Sequence, residues 1–282
     1  MVTLATTPVT EATVHVNGVD VTYFDSETET SRMPVVLLHG TSGSTEVHMS
    51  YLFPMLAPRQ RVIAIDWSQP HAGTLELVDL EAQVTAVLDV VLPGREFALV
   101  GYSLGAALAI SVAAHRPAQV RELVLIAGWM QTDTQQLLRN DVWQSLRASG
   151  SPEIAKYTVF CAFGNPFLAA RTEAELAPAL AGVRQSEFID QQMDLNRRIN
   201  VVAEANEIRA TTLIVGCTHD QMVPKRHSKA LFGAIEDARY TELDSGHAVV
   251  FERPAELFQV VEHFLTNPNE YSAGAIIPAS RP

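Results

Sequence analysis

The sequence predicts an α/β fold in which a mostly parallel sheet carries helices on both of its faces. Short apolar runs rich in β-branched residues alternate with longer segments of helical periodicity, a pattern typical of successive strands and helices. One such run, residues 97–100, leads within a few residues into a helix of small residues over 105–114. Between Ala127 and Thr211 the alternation stops and helical patterns continue without a convincing strand, which indicates a helical insertion.

Size and composition fit one large globular unit with such an insertion. The chain has 282 residues, 47% of them hydrophobic, enough to bury a sizeable core. A formal net charge of −12 argues against nucleic acid and anionic membrane surfaces as partners. The two cysteines, Cys161 and Cys217, form no metal-ligand spacing and no disulfide framework, so both are predicted to be buried thiols.

The N-terminal sequence is unlike a secretory signal, because it has no Lys or Arg before Arg32 and contains no long apolar run. The longest apolar stretch, in the helix after Ser103, is too short to span a bilayer. We therefore expect a cytoplasmic protein that acts on a small molecule without contacting a membrane. A homo-oligomer is compatible with these observations.

The first half of the chain begins with a hairpin signal, in which two alternating runs flank Asn17-Gly18. Apolar strands are predicted at residues 34–38 and 61–65, and helical spacing of Leu and Val covers residues 74–91. Pro117 marks the end of the small-residue helix.

The second half repeats the pattern on either side of the insertion. Strands are predicted at residues 123–127, 211–216 and 239–243, and helices at about 225–232 and 249–265. We therefore expect a core formed by residues 1–128 and 207–270, a helical lid over residues 129–206, and a flexible C-terminal tail over residues 271–282.

The turn between the run at 97–100 and its helix carries the main chemical signal. Residues 101–105 read Gly-Tyr-Ser-Leu-Gly, the Gly-x-Ser-x-Gly pattern of a nucleophile elbow. A serine on such a sharp turn has a strained backbone and close neighbours, which Gly101 and Gly105 permit because they lack a Cβ. The Ser103 hydroxyl would then stand at a helix N-terminus, where free N–H groups favour developing negative charge.

A serine hydroxyl becomes a good nucleophile only when a base removes its proton, and the base needs a third group to orient it. Two side chains that follow predicted strands provide these groups: Asp220, after residues 211–216, and His247, after residues 239–243. Asp133, soon after the strand at 123–127, is an alternative acid.

Four motifs together resemble the α/β-hydrolase fold enzymes of the esterase and lipase superfamily, over residues 12–266. They are His39-Gly40 after a strand, the elbow at Ser103, the Gly-x-x-x-Asp-x-x-Val-Pro run around Asp220, and Ser-Gly-His ending at His247 with Glu-Arg-Pro at 252–254. The resemblance implies an eight-stranded sheet whose first strand or two run antiparallel to the rest. It also implies that the insertion is the variable lid of the family.

The same resemblance implies an oxyanion hole made of two backbone N–H groups, those of Leu104 and Thr41. Gly40, Ser42, Trp129 and Phe163 are candidate substrate contacts at the same end of the sheet. One departure from the family is the loop after residues 61–65, which lacks the usual Asp-x-x-Gly-x-Gly pattern.

Two further residues near these motifs receive structural roles. We expect His39 to order the oxyanion loop rather than to carry a proton. Glu252 is expected to brace the final helix.

The sequence thus predicts a serine hydrolase that cleaves a small or medium carboxylic ester, lactone or thioester through an acyl-enzyme, with no metal or organic cofactor. Ser103 would be the nucleophile, His247 the base and Asp220 the group that orients it. Two other readings stay open: a carbon–carbon bond hydrolase or cofactor-free oxygenase of the same fold, and a non-catalytic receptor that keeps the pocket.

Overall fold

The structure, a computed structural model, describes residues 9–71 and 73–278. In these residues one sheet contains eight strands. Their bounds are β1 Thr10–Val16, β2 Val19–Asp25, β3 Val35–Leu38, β4 Val62–Asp66, β5 Phe97–Tyr102, β6 Val120–Ile126, β7 Thr211–Cys217 and β8 Ala238–Leu243.

Helices connect most of the strands. Before the insertion they are α1 Thr45–His48, α2 Leu52–Leu56, α3 Leu77–Val91 and α4 Leu104–His115. The insertion holds α5 Thr134–Ala148, α6 Glu153–Ala162, α7 Asn165–Ala169, α8 Glu173–Gly182, α9 Glu187–Arg198 and α10 Val202–Glu207. After it come α11 Arg226–Ala234, α12 Val249–Glu252 and α13 Pro254–Thr266.

The strand order confirms the predicted sheet. The order is β1-β2-β4-β3-β5-β6-β7-β8, with β1 and β2 antiparallel to their neighbours and the remaining pairs parallel. The carboxyl ends of the parallel strands therefore meet at one edge of the sheet, where side chains that follow different strands can converge.

Two hydrophobic layers cover the two faces of the sheet, which also confirms the prediction. Along β3 the buried side chains alternate between the layers: Val36 and Leu38 belong to one, Val35 and Leu37 to the other. Helices α3, α4 and α11 cover the first face, and α2 and α13 cover the second. No helix among the described residues is long and apolar enough to cross a membrane.

The last predicted helix, residues 249–265, is divided in the structure. Helix α12 ends at Glu252 and α13 begins at Pro254, with Arg253 at φ −136° and ψ 48° between them. Proline has no N–H to donate and its ring clashes with a preceding helical turn, so it begins a new helix here. This break separates the short helix α12, which follows His247, from α13.

The segment 129–206 contains six helices, and its two ends are joined by an isolated bridge between Gln131 and Asn200. It has small apolar clusters of its own, one of them around Trp143, Ile154 and Met193. The helices of this segment therefore pack partly against one another.

Part of the predicted tail, residues 271–282, lies along β8. The Gly274 N–H donates to Ala238 O, the Ala275 carbonyl accepts from the Tyr240 N–H, and the Ile277 N–H donates to Tyr240 O at 2.7 Å. Strand β8 is an edge strand, and its unpaired backbone groups account for this pairing. Residues 279–282 lie outside the described residues.

Glu122, on β6, has a pKa raised from 4.5 to about 7 because its carboxyl is buried, an effect that Arg32 partly offsets. The folded state then holds the proton more tightly than the unfolded state, so stability falls as pH rises from about 4.5 to 7. In urea denaturation, Glu122→Gln should raise the free energy of unfolding at pH 8 by about 1–2 kcal/mol and change it little at pH 4.5. The exposed Glu236 supplies the control, Glu236→Gln; equal effects of Glu122→Gln at both pH values would contradict the assignment.

Candidate active site

Ser103 stands on a strained turn between β5 and α4. Its backbone has φ 56° and ψ −119°, a region that residues other than glycine rarely occupy. The glycines on either side are packed as the motif predicts: a Cβ on Gly101 would lie 2.3 Å from Gly105 O, and a Cβ on Gly105 would lie 2.3 Å from Leu38 O. The turn therefore tolerates no side chain at either position.

Three side chains from three strand ends form one hydrogen-bonded chain. Ser103 Oγ lies 2.9 Å from His247 Nε2, and His247 Nδ1 lies 2.7 Å from Asp220 Oδ2. All three residues are buried, and the Asp220 side chain is fully shielded from solvent. An ionised Asp220 accepts from Nδ1–H, which leaves Nε2 with a lone pair directed at the serine hydroxyl.

The second oxygen of Asp220 is held by the backbone. Asp220 Oδ1 accepts hydrogen bonds from the N–H groups of Met222 and Val223 at 2.8 and 2.7 Å. These bonds stabilise the ionised carboxylate and fix the plane of the carboxyl group. The orientation of His247 is thereby set by the turn after β7.

The loop that carries His247 is tied to both the sheet and the insertion. The Tyr102 hydroxyl donates to the His247 carbonyl at 2.9 Å. Glu252 accepts from the N–H of Gly246 at 3.1 Å and from the N–H of Gly164 in the insertion at 2.9 Å. The expectation that Glu252 braces the final helix therefore needs correction, because its carboxylate joins the His247 loop to the insertion.

The two proposed oxyanion groups, the N–H groups of Leu104 and Thr41, come from two different elements beside Ser103. Leu104 is the first residue of α4, so its N–H has no acceptor within the helix. Thr41 follows β3 and lines the same cavity as Ser103. Helix α9 holds this loop: Asn196 Nδ2 donates to Thr41 Oγ1 at 2.9 Å, and the Ser42 N–H donates to Gln192 Oε1 at 3.1 Å.

Gly40 does not line the cavity, in contrast to its predicted contact with substrate. A Cβ at this position would lie 3.0 Å from the Ser103 Cβ, so Gly40 leaves room for the serine. Its N–H donates to His48 Nδ1 at 3.1 Å. Gly40 thus positions the loop and the nucleophile.

Burial lowers the pKa of two histidines beside the site. Burial, with the nearby charges of His39 and His247, lowers the pKa of His48 to about 3. Burial also lowers the pKa of His39, whose Nδ1 lies 2.8 Å from Gly40 O and whose ring stacks on Trp67 at 3.7 Å. His39 therefore packs within the loop after β3 and against Trp67.

Asp133 lies elsewhere. It caps α5 by accepting from the Gln136 N–H, and its other oxygen contacts the side chains of Arg226 and His227. The structure therefore gives the alternative acid a different set of partners and no contact with His247.

A cavity of about 590 Å³ opens over Ser103 and His247. Its wall is largely apolar, and it includes the predicted contacts Ser42, Trp129 and Phe163. Trp129 donates from Nε1 to Thr132 Oγ1, which fixes its ring in the wall. Among the described residues, no group of three His, Cys, Asp or Glu side chains has the arrangement of a metal site.

The model of the alpha/beta hydrolase family matches residues 35–260, and the chain belongs to this family. The chain is 30% identical over 242 residues to the pyrrolizixenacetamide deacetylase of Xenorhabdus hominickii, covering 82% of this chain and 90% of that protein.

Solved structures of the same fold are also similar. An alpha/beta hydrolase, MGS-M2, from a Medee basin deep-sea metagenome library has a TM-score of 0.80 and 18% identity, covering 90% of this chain and 97% of that one. The enol-lactonase of Burkholderia xenovorans LB400 has a TM-score of 0.76 and 19% identity, covering 90% and 100%. At 18% and 19% identity, these similarities show a shared fold.

Sequence reasoning missed the residues that support the site from a distance. His48, Gln192 and Asn196 all hold the loop after β3, and none belongs to a recognisable motif. The position of Gln192 and Asn196 on one face of α9, four residues apart, is the signal that could have grouped them.

Proposed function

We propose that this protein is a serine hydrolase that cleaves a small or medium carboxylic ester, lactone or thioester through an acyl-enzyme. The observation that carries the proposal is the chain of hydrogen bonds from Ser103 through His247 to Asp220 at the floor of the cavity. Family membership supports it.

In the first half-reaction Ser103 Oγ attacks the acyl carbon while His247 Nε2 accepts its proton. The N–H groups of Leu104 and Thr41 stabilise the oxyanion, and the buried carboxylate of Asp220 stabilises the imidazolium. His247 then gives the proton to the leaving oxygen or sulfur, which departs and leaves the acyl group on Ser103.

In the second half-reaction water attacks the acyl-enzyme. His247 Nε2 takes a proton from the water, the oxyanion forms against the same two N–H groups, and the ester bond to Ser103 breaks. The proton returns to Ser103 Oγ and the carboxylic acid leaves.

An amide is a second candidate for the scissile bond, because the similar chain from Xenorhabdus hominickii is named a deacetylase. The same steps cleave an amide when His247 protonates the leaving nitrogen. A panel of acetate esters, lactones, thioesters and acetamides, assayed with the wild type and with Ser103→Ala, tests the function. Turnover of one of these classes that Ser103→Ala abolishes supports the proposal, and no turnover of any class contradicts it.

The pH dependence of kcat/KM should show a single protonation on its acid side. A protonated His247 cannot accept the Ser103 proton, so activity falls as pH is lowered. His48, with a pKa of about 3, adds nothing to this limb above that pH, and burial also lowers the pKa of His39. The slope of log kcat/KM against pH should therefore approach one. A slope near two would show that a second imidazole titrates with His247.

A further inference from the structure

One cation in the wall of the catalytic cavity has no partner. Arg139 lies on α5, and the guanidinium makes no hydrogen bond or ion pair with any residue in the ranges 9–71 and 73–278. Its Nε–H is buried without an acceptor. Arg139 is half-buried, and leaving a buried donor such as its Nε–H unpaired is costly, so a lone guanidinium in a cavity wall indicates a ligand that completes it.

The other charged side chains of the cavity wall are already satisfied or lie in solvent. Arg197 pairs with Asp141. Arg184 is exposed, and Glu175 is an exposed capping residue that accepts from the Thr172 N–H and hydroxyl. Arg139 therefore supplies the one half-buried cation of this wall that has no partner among the described residues.

The position of Arg139 relates it to the reacting atoms. Helix α5 presents four residues at helical spacing to the cavity, Gln136, Arg139, Asn140 and Trp143. Ser103 and His247 line the same cavity as Arg139, and the charge of Asp220 also acts on the guanidinium. Burial lowers the pKa of Arg139 from its usual value, yet a guanidinium keeps its proton at neutral pH.

We propose that Arg139 binds a carboxylate of the substrate, so that the preferred substrate is an ester or related acyl compound that carries a free carboxylate remote from the bond cleaved. This inference rests on the proposed hydrolase function. A planar guanidinium matches a carboxylate with two parallel N–H···O bonds, and the single unpaired charge matches a monoanion. The largely apolar wall suits the carbon chain that separates the carboxylate from the acyl carbon.

Substrates that differ in one charge test the proposal. Monoethyl succinate, glutarate and adipate carry a carboxylate, and the corresponding ethyl ester carboxamides are neutral and nearly the same shape. The wild type should prefer the best carboxylate over its carboxamide by at least about tenfold in kcat/KM. Arg139→Gln should lower kcat/KM for the carboxylate by at least about 30-fold and leave the carboxamide within about twofold.

Arg147→Gln is the matched control. It removes the same charge from the same helix, eight residues on, at a side chain that pairs with Asp190 and does not line the cavity. Arg147→Gln should keep the wild-type preference for the carboxylate. Equal rates for carboxylate and carboxamide in the wild type, or an equal fall for both in Arg139→Gln, would overturn the proposal.

A binding measurement separates this proposal from the proposed function. Calorimetry with Ser103→Ala should detect monoethyl glutarate or adipate, and adding Arg139→Gln should weaken that binding at least about tenfold. If the wild type hydrolyses none of these esters but the Arg139-dependent binding is present, the hydrolase proposal fails and the carboxylate site stands. If hydrolysis is present and binding is insensitive to Arg139, the hydrolase proposal stands and the carboxylate site fails.

Discussion

Replacing Ser103 by alanine is expected to lower kcat by a factor of about 10⁴ or more, with the residual rate coming from the oxyanion hole and substrate binding. The hydroxyl is the only group of this side chain that reaches His247, at 2.9 Å, and alanine keeps the Cβ that packs beside Gly40. The variant should therefore fold normally and bind substrate. Initial rates on the best substrate of the panel, with circular dichroism as a check of folding, measure the effect.

A second buried serine gives the matched control. Ser111 lies on α4, eight residues after the nucleophile, and its hydroxyl donates to Glu81 away from the cavity. Ser111→Ala loses a hydrogen bond of similar burial and should keep kcat within about threefold of the wild type. A Ser103→Ala protein that retained a tenth of the activity would rule out the serine mechanism.

Asp220→Asn is the second change expected to have a very large effect. The amide oxygen of asparagine can still accept from the N–H groups of Met222 and Val223, which turns its NH₂ group toward His247 Nδ1. Nδ1 must then act as an acceptor, so the proton moves to Nε2, the atom that has to receive the Ser103 proton. An equivalent change in the serine-protease template costs about 10⁴ in kcat, and we expect a loss of that order.

Asp133→Asn tests the competing assignment on the same substrate. Asp133 contacts Arg226 and His227 and has no contact with His247, so this variant should keep kcat within about threefold of the wild type. An inactive Asp133→Asn beside an active Asp220→Asn would move the acid to the strand that precedes the insertion. Thermal denaturation of both variants distinguishes loss of catalysis from loss of fold.

The parts of the fold that sequence could predict are those encoded locally. The Gly-Tyr-Ser-Leu-Gly turn requires its glycines because of contacts within the turn and with the end of the neighbouring strand β3, so the pattern itself carries the geometry. Asp220 and His247 could be grouped with Ser103 because each follows a strand, and parallel strands end at one edge of a sheet.

Contacts between distant segments could not be predicted in the same way. Glu252 reaches Gly164, 88 positions away, and the pairing of Ile277 with Tyr240 depends on the open edge of β8. Arg139 could not be singled out in the sequence, because the sequence does not distinguish a solvent-exposed arginine on a helix from an unpartnered arginine in a cavity wall. What distinguishes it is the absence of a partner in the described cavity wall, which appears only when the helices are packed.

The central claim is that Ser103 is an activated nucleophile that forms a covalent intermediate. Labelling with a fluorophosphonate probe, followed by intact-protein and peptide mass spectrometry, tests this claim without knowledge of the natural substrate, because phosphonylation requires an activated serine. We expect one adduct per chain, located on Ser103, absent in Ser103→Ala and strongly slowed in Asp220→Asn. No adduct on the wild type, as expected of a non-catalytic receptor, or an adduct that persists in Ser103→Ala, would contradict it.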